Sequence, residues 1–474
     1  MKIIQPIRIN FPEKKEISDH NFDSHISVLL GRNGQGKSRL LSAIAASFQL
    51  LQTYNRSRSL RRLPLRHLAY EFDGVRYEVV SEPGGIANVH VDGIGKNLSD
   101  IKLPSRVIAL SMTPFDKFPI GSVSRQLDLF EDERPDIYSY LGMRDRMGRA
   151  SVSALLFRAV EGLFFRHNWE DRARIVKVFN MIGYEESINV VFRIESSSSL
   201  RELSDGRYLD DNVSGSTFVR DRVSGIIKTD PDKAERLFKA ANDLKELVRG
   251  GFIVLNLDIR APSTASTKTF TQLQLLRQAG LARLYAVEAK KTNGDIIDFK
   301  QASSGELSVA ISFMSLAASL SDNSLVLIDE PETNLHPEWQ AKYIDLIMST
   351  FSGFHGCQYI LATHSPLILS DAPASATLAS VSDDVPAQGS EVSGQSVDYL
   401  LAKAFQTVGG ANYYLQEQVV KALRLAADGE LESPQFSSIL SELRQLRPLI
   451  RDNPGIIQII IDLEGIALRR GSGK

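Results

Sequence analysis

The chain has 474 residues, of which 43% are hydrophobic and 24% charged, and its 57 acidic and 55 basic side chains leave a formal net charge of −2. That length suits two or three soluble globular domains, and the charge balance gives no global attraction to a polyanion. A single cysteine (Cys357) excludes an intramolecular disulfide framework, eight scattered histidines argue against a Cys/His zinc site, and no run reaches the roughly 18 apolar residues of a membrane span, so a cytoplasmic protein with no membrane partner is expected.

The opening MKIIQPIRIN lacks the apolar core of a signal peptide and alternates as a strand does. His25 to Leu30 reads as a second strand and leads into Gly31, Arg32, Asn33, Gly34, Gln35, Gly36, Lys37 and Ser38. Apolar residues at Leu40, Leu41, Ile44, Phe48 and Leu51 then follow helical spacing. Strand, glycine loop and helix together satisfy the phosphate-loop pattern. Its glycines let backbone amides close around phosphate oxygens, Lys37 neutralises β/γ charge, and the Ser38 hydroxyl is a ligand for Mg²⁺. Arg56, Arg58, Arg61, Arg62 and Arg66 follow as either a solvated loop or a nucleic-acid contact, with Arg144, Arg146 and Arg149 as a second basic patch. Strands are predicted over Tyr70 to Val80, turning at Asp73-Gly74, over Ile86 to Val91, and over Arg106 to Ser111.

From about Thr113 to Leu281 the pattern changes to amphipathic helices and polar loops, with Ser196 to Ser199 and Asp210 to Ser216 read as loops. The clearest helix opens at Asp230-Pro231, carries Leu237, Ala241, Leu244 and Val248 on one stripe, and ends at Gly250-Gly251. Leu281 to Lys300 reads as a hairpin turning at Asn293-Gly294, followed by a helix from about Glu306 to Ala318. Leu325 to Ile328 is a continuous apolar run, the mark of a central parallel strand, and delivers Asp329 and Glu330 at its carboxyl end, where open α/β sheets bind ligands. Asp329 is a candidate Mg²⁺ ligand and Glu330 a candidate general base toward water. Gln358 to Ala362 is the next buried strand. Ala372 to Gly394 reads as a linker, and Ser396 to Leu468 as helical, with breaks near Gly409-Gly410, Gly429 and Pro434.

Together these residues resemble the ABC-type ATPases of the RecF, SMC and OLD branch. Ala302-Ser303-Ser304-Gly305-Glu306 is similar to that superfamily's signature sequence, with Ala302 where leucine is usual. Asn334-Leu335-His336 falls at its D-loop and His364 at its switch histidine. The EPETNLHP and THSPLIL wording resembles bacterial AAA-type anti-phage defence ATPases, namely the Septu PtuA type and retron-associated PtuA-like ATPases. The resemblance implies an α/β fold, an ABC-type P-loop ATPase head of mixed sheet and helices. Its lobes at 1–112 and 281–371 are split by a mainly helical insertion (113–280), with a linker (372–395) and a helical C-terminal region (396–474) after them. It also implies ATP and Mg²⁺ as cofactors, catalytic roles for Asp329, Glu330 and His364, and nucleotide contacts from Ser303, Ser304, Gly305 and Glu306 toward the other protomer. The implied assembly is a head-to-head homodimer or higher oligomer that controls a separate effector such as an HNH nuclease. The glutamine this family keeps after the strand at Arg106 to Ser111 is replaced by SMTPFDKF, leaving Ser111 or Thr113 as substitutes. Asp383-Asp384, Asp462 with Glu464, and Asp258 with Glu288 and Lys290 do not assemble into a nuclease pattern. Two further readings stay open: a RecF-like repair ATPase that binds DNA directly, and a nucleotide-gated scaffold that does not turn over.

Overall fold

Six short runs pair side by side into one parallel sheet in the computed structural model of the chain, which describes residues 8–10, 25–31, 34, 36–57, 63–82, 85–120, 136–144, 151–165, 169–205, 217–380, 389–409, 412–450 and 453–471. The strand order is Thr377–Ser380, His25–Leu30, Gln358–Ala362, Ser324–Asp329, Arg106–Ser111 and Tyr138–Gly142. Because side chains alternate along a strand, Leu325 and Leu327 enter one core and Val326 and Ile328 the other. Covering on both faces explains why this strand is apolar throughout. Parallel pairing also brings the carboxyl ends of the strands to one edge of the sheet.

One face packs on the helix Lys37–Ser57 and on a five-stranded sheet ordered Arg8–Asn10, His67–Phe72, Val75–Glu82, Gly85–Val91 and Ile94–Gly95. Asp73 and Gly74, both at positive φ (51° and 73°), make the two-residue hairpin turn that the Asp-Gly pair predicts. The other face packs on the helices Val152–Phe165, Trp169–Met181 and Ser304–Ser319, and behind them lies a four-stranded antiparallel sheet. Its order is Phe252–Asp258, Tyr184–Ile194, Ala282–Lys291 and Ile296–Asp298. Val152–Phe165 crosses Ser304–Ser319 very closely: a Cβ added to Gly162 would lie 1.7 Å from that of Ala318. Glycine is required there by packing, since nothing larger fits between the two helices.

Several expectations change. Helices dominate residues 113–280, but Tyr138–Gly142 is a strand of the main sheet, Tyr184–Ile194 pairs with the expected hairpin at 282–298, and Phe252–Asp258 pairs with the other side of Tyr184–Ile194. The segment shares one continuous core with the parallel sheet. Strand formation here depends on partners distant in sequence, so local periodicity does not reveal it. Ser196, expected in a loop, caps the helix Ser197–Ser204, its side chain accepting from the Ser199 amide at 3.1 Å. Within the expected linker, Thr377–Ser380 pairs with His25–Leu30 as the edge of the main sheet. Asp210 to Ser216 and Asp383-Asp384 lie outside the described residues.

The helices Tyr413–Ala427, Pro434–Leu446 and Pro454–Gly471 enclose a third core of Leu415, Val419, Phe436, Leu440, Leu443, Ile460 and Leu463. Among the described residues no helix is long and apolar enough to cross a membrane.

Candidate active site

The phosphate loop leaves the carboxyl end of His25–Leu30 and enters the helix that starts at Lys37. Gly34 and Gly36 hold φ of +82° and +101°, which L side chains rarely adopt, so the turn needs glycine at both. Arg32, Asn33 and Gln35 of this loop lie outside the described residues. Lys37 is buried, with 4% of its surface exposed, and its Nζ donates to the Gly31 carbonyl at 2.6 Å. Burial lowers its pKa, while the charges of Glu332, Glu330 and Asp329 work in the opposite direction.

Asp329 ends the acid strand, Ser324–Asp329, which lies one strand away from His25–Leu30 in the sheet. The Ser38 hydroxyl donates to its Oδ1 at 2.9 Å, closing a separation of 291 residues. Burial pushes the Asp329 carboxyl up to about 7, opposed by the Ser38 hydrogen bond and reinforced by the nearby charges of Glu330, Asp116 and Glu332. A hydroxyl and a carboxylate oxygen side by side are hard donors of the kind Mg²⁺ takes, so the donor set fits that ion. Glu330 follows at φ +50°, its side chain 37% exposed, and its amide donates to the Ala362 carbonyl at 2.9 Å. A non-glycine residue held at positive φ turns the backbone sharply as it leaves the strand.

His364 comes from the end of Gln358–Ala362, the strand between the other two. Its ring faces Lys37 Nζ, with Nε2 at 2.8 Å and Nδ1 at 3.1 Å, and Nε2 lies 3.8 Å from Glu330 Oε1. Burial and the adjacent lysine push the ring down to about 4, which keeps it neutral near pH 7. Thus Lys37, Ser38, Asp329, Glu330 and His364, from three adjacent parallel strands, meet at one edge.

Sequence reasoning passed over two residues. Glu332, two positions beyond Glu330, accepts from Thr363 Oγ1 at 2.8 Å and from the His364 amide at 2.6 Å, and burial raises its pKa. The signal was present, since DEPE places three carboxylates within four positions. Asp116 lies in the SMTPFDKF segment, buried, accepting from Tyr140 Oη at 2.7 Å and paired with the Arg144 guanidinium, which also donates to the Phe118 carbonyl. Arg144 is therefore committed inside the chain and is no longer a surface candidate for DNA. Arg146, Arg149, Arg58, Arg61 and Arg62 lie outside the described residues, as does the side chain of Arg56. Ser111 pairs in register with Asp329 and is buried, and its Oγ accepts from the Thr113 amide at 3.4 Å.

The segment Ser303 to Glu306 opens its helix with a capping box, Ser303 and Glu306 each accepting from the other's amide. Ser303 and Ser304 are exposed. Glu306, expected to contact nucleotide, is directed inward, accepting from Tyr184 Oη at 3.1 Å and from Lys291 Nζ at 2.9 Å. Those bonds tie the start of this helix to the antiparallel sheet. Gly305 is buried against the expected D-loop, where a Cβ would lie 2.8 Å from the Asn334 carbonyl. Glu288 and Lys290 stand on a strand of that sheet, with Lys290 paired to Glu185, and Glu464 pairs with Arg444 and Arg447 in the C-terminal helices.

A family model described as "AAA domain, putative AbiEii toxin, Type IV TA system" matches residues 128–370. A curated relative, the "Retron Vc95 probable ATPase" of Vibrio cholerae serotype O1 biovar El Tor, is 44% identical over 55 residues, which are 12% of this chain and 10% of that protein. Among solved structures, the SMC head domain from Thermotoga maritima is 12% identical, with 78% of this chain and 90% of that chain covered and a TM-score of 0.28. The recombination mediator RecF is 15% identical, with coverages of 80% and 95% and a TM-score of 0.26.

Proposed function

The chain belongs to the AAA_21 family of AAA domains, and from that premise we propose that it binds ATP with Mg²⁺ and hydrolyses it at the edge shared by Lys37, Ser38, Asp329, Glu330 and His364. The observation that carries this reading is the 2.9 Å bond from Ser38 to Asp329, because it joins the phosphate loop to the acid strand. Backbone amides of Gly34 and Gly36 and the Lys37 ammonium hold the phosphates. Ser38 and Asp329 would hold Mg²⁺, which would neutralise phosphate charge there. Glu330 takes the proton of the attacking water, and the neutral His364 ring hydrogen-bonds the γ-phosphate. Phosphate release by the full chain, abolished by EDTA and restored by Mg²⁺, tests the reading; no ATP binding in calorimetry overturns it.

Two chains acting head to head, each presenting the exposed Ser303 and Ser304 to the partner's nucleotide, complete the site in this reading. Mixing Lys37→Ala and Ser303→Arg protomers restores partial turnover if the site is shared, and the absence of rescue refutes sharing. The assembly then controls a separate effector, a nuclease such as an HNH protein, in anti-phage defence, a reading supported by the 55-residue likeness to a retron ATPase. Co-purification of the chain with its genomic neighbours tests this assignment.

A further inference from the structure

Glu330 and Glu332 are two positions apart, yet their carboxylates have different partners. Glu330 is partly exposed beside the His364 ring, whereas both oxygens of Glu332 are engaged, Oε2 by the buried Thr363 hydroxyl at 2.8 Å and Oε1 by the His364 amide at 2.6 Å. We propose that Glu332 is a positioning residue that fixes His364 against Lys37, by clamping the end of one strand to the turn that follows its neighbour.

Glu332 belongs to a closed turn. The Thr333 amide donates to the Glu330 carbonyl at 3.1 Å and the Leu335 amide to the Glu332 carbonyl at 3.0 Å, so the backbone that carries the clamp is itself held. On the other side, Ser365 extends the connection. Its amide donates to Thr363 Oγ1 at 2.9 Å and its hydroxyl to Gln340 Oε1 at 2.7 Å, while Gln340 Nε2 donates to the Leu335 carbonyl at 3.0 Å. Thr363, His364 and Ser365 are thereby tied at two points to the Glu332–Gln340 segment, and a shift of that segment carries His364 with it. Only a carboxylate accepts both donors at once. A carboxamide accepts one and turns its NH₂ toward the other. Facing the His364 amide, the NH₂ breaks that bond. Facing the Thr363 hydroxyl, which already accepts from the Ser365 amide, it forces that hydroxyl to stop donating and replaces a charged acceptor by a neutral one, so a near-isosteric change loosens the clamp while filling the same space.

The inference rests on His364 acting at the γ-phosphate, and its test separates the two. In Glu332→Gln, kcat for ATP falls about tenfold or more while KM stays within about threefold, as expected when a transition-state contact is misplaced and ground-state binding is kept. In a His364→Ala background the same change alters kcat by less than about twofold, because a residue acting through His364 has nothing left to position. A second readout needs no turnover: diethyl pyrocarbonate modification of His364, followed by peptide mass spectrometry, is severalfold faster in Glu332→Gln at unchanged Tm. Equal losses of kcat in both backgrounds, or an unchanged modification rate, overturn the proposal. Absence of turnover in the unmodified chain counts against the ATPase reading, and the modification rate still decides the role of Glu332.

Discussion

The edge of the parallel sheet and the C-terminal helices bury side chains of opposite character. At the edge, Lys37, Ser111, Asp116, Asp329, Thr363 and Ser365 are all buried, and each polar group that is held there has a named partner. Among the described residues between 413 and 471 the buried set is Leu, Ile, Val, Ala and Phe with Gln418, and the carboxylate of Glu464 is met by two arginines. Burying a charge is costly unless it is paired, so a cluster of buried charges at a strand edge marks chemistry, and an apolar bundle marks support.

Four substitutions sharpen that contrast. The largest effect is expected from Glu330→Gln, which keeps ATP bound but slows phosphate release by about 10²–10⁴-fold, because the carboxamide cannot take a proton. Unchanged turnover excludes Glu330 as the base. Lys37→Ala removes the counter-charge of the loop and weakens ATP binding by about 100-fold or more in calorimetry. Near-normal affinity excludes the loop as the phosphate site. Leu443→Ala, in the fully buried core of the bundle, costs about 2–5 kcal/mol in denaturant unfolding of that region and leaves kcat intact. A matching loss of turnover at temperatures where the chain is folded shows instead that the bundle serves the site. Least affected is Glu417→Ala, which breaks an exposed pair with Lys421 (2.9 Å) and changes stability by about 0.3–0.5 kcal/mol, within the scatter of a melting curve.

Position 306 shows why sequence and structure diverge at the signature-like segment. Ser303 to Glu306 reads equally well as a helix cap or as a nucleotide contact, and the two uses are separated only by where the side chains point. Glu306 faces Tyr184 and Lys291, so it serves the junction with the antiparallel sheet, while Ser303 and Ser304 stay at the surface. Arg144 gives the same lesson for charge. In the sequence it is one of several arginines near a loop, and in the fold it neutralises Asp116. Pairing over 28 residues leaves no periodic trace.

The sequence by itself determined the central strands, the glycine loop with its helix, and the acid pair at a strand end. Each of these is written in neighbouring residues: a continuous apolar run needs covering on both faces, glycines permit positive φ, and a strand projects its last residues beyond the sheet. Tertiary structure alone decided that Ser38 meets Asp329 across 291 residues, that Tyr184–Ile194 is the centre of a second sheet, and that Glu332 holds the backbone of His364. These depend on which strands lie side by side. That choice is made by the packing of distant segments on a common core, and no local pattern encodes it.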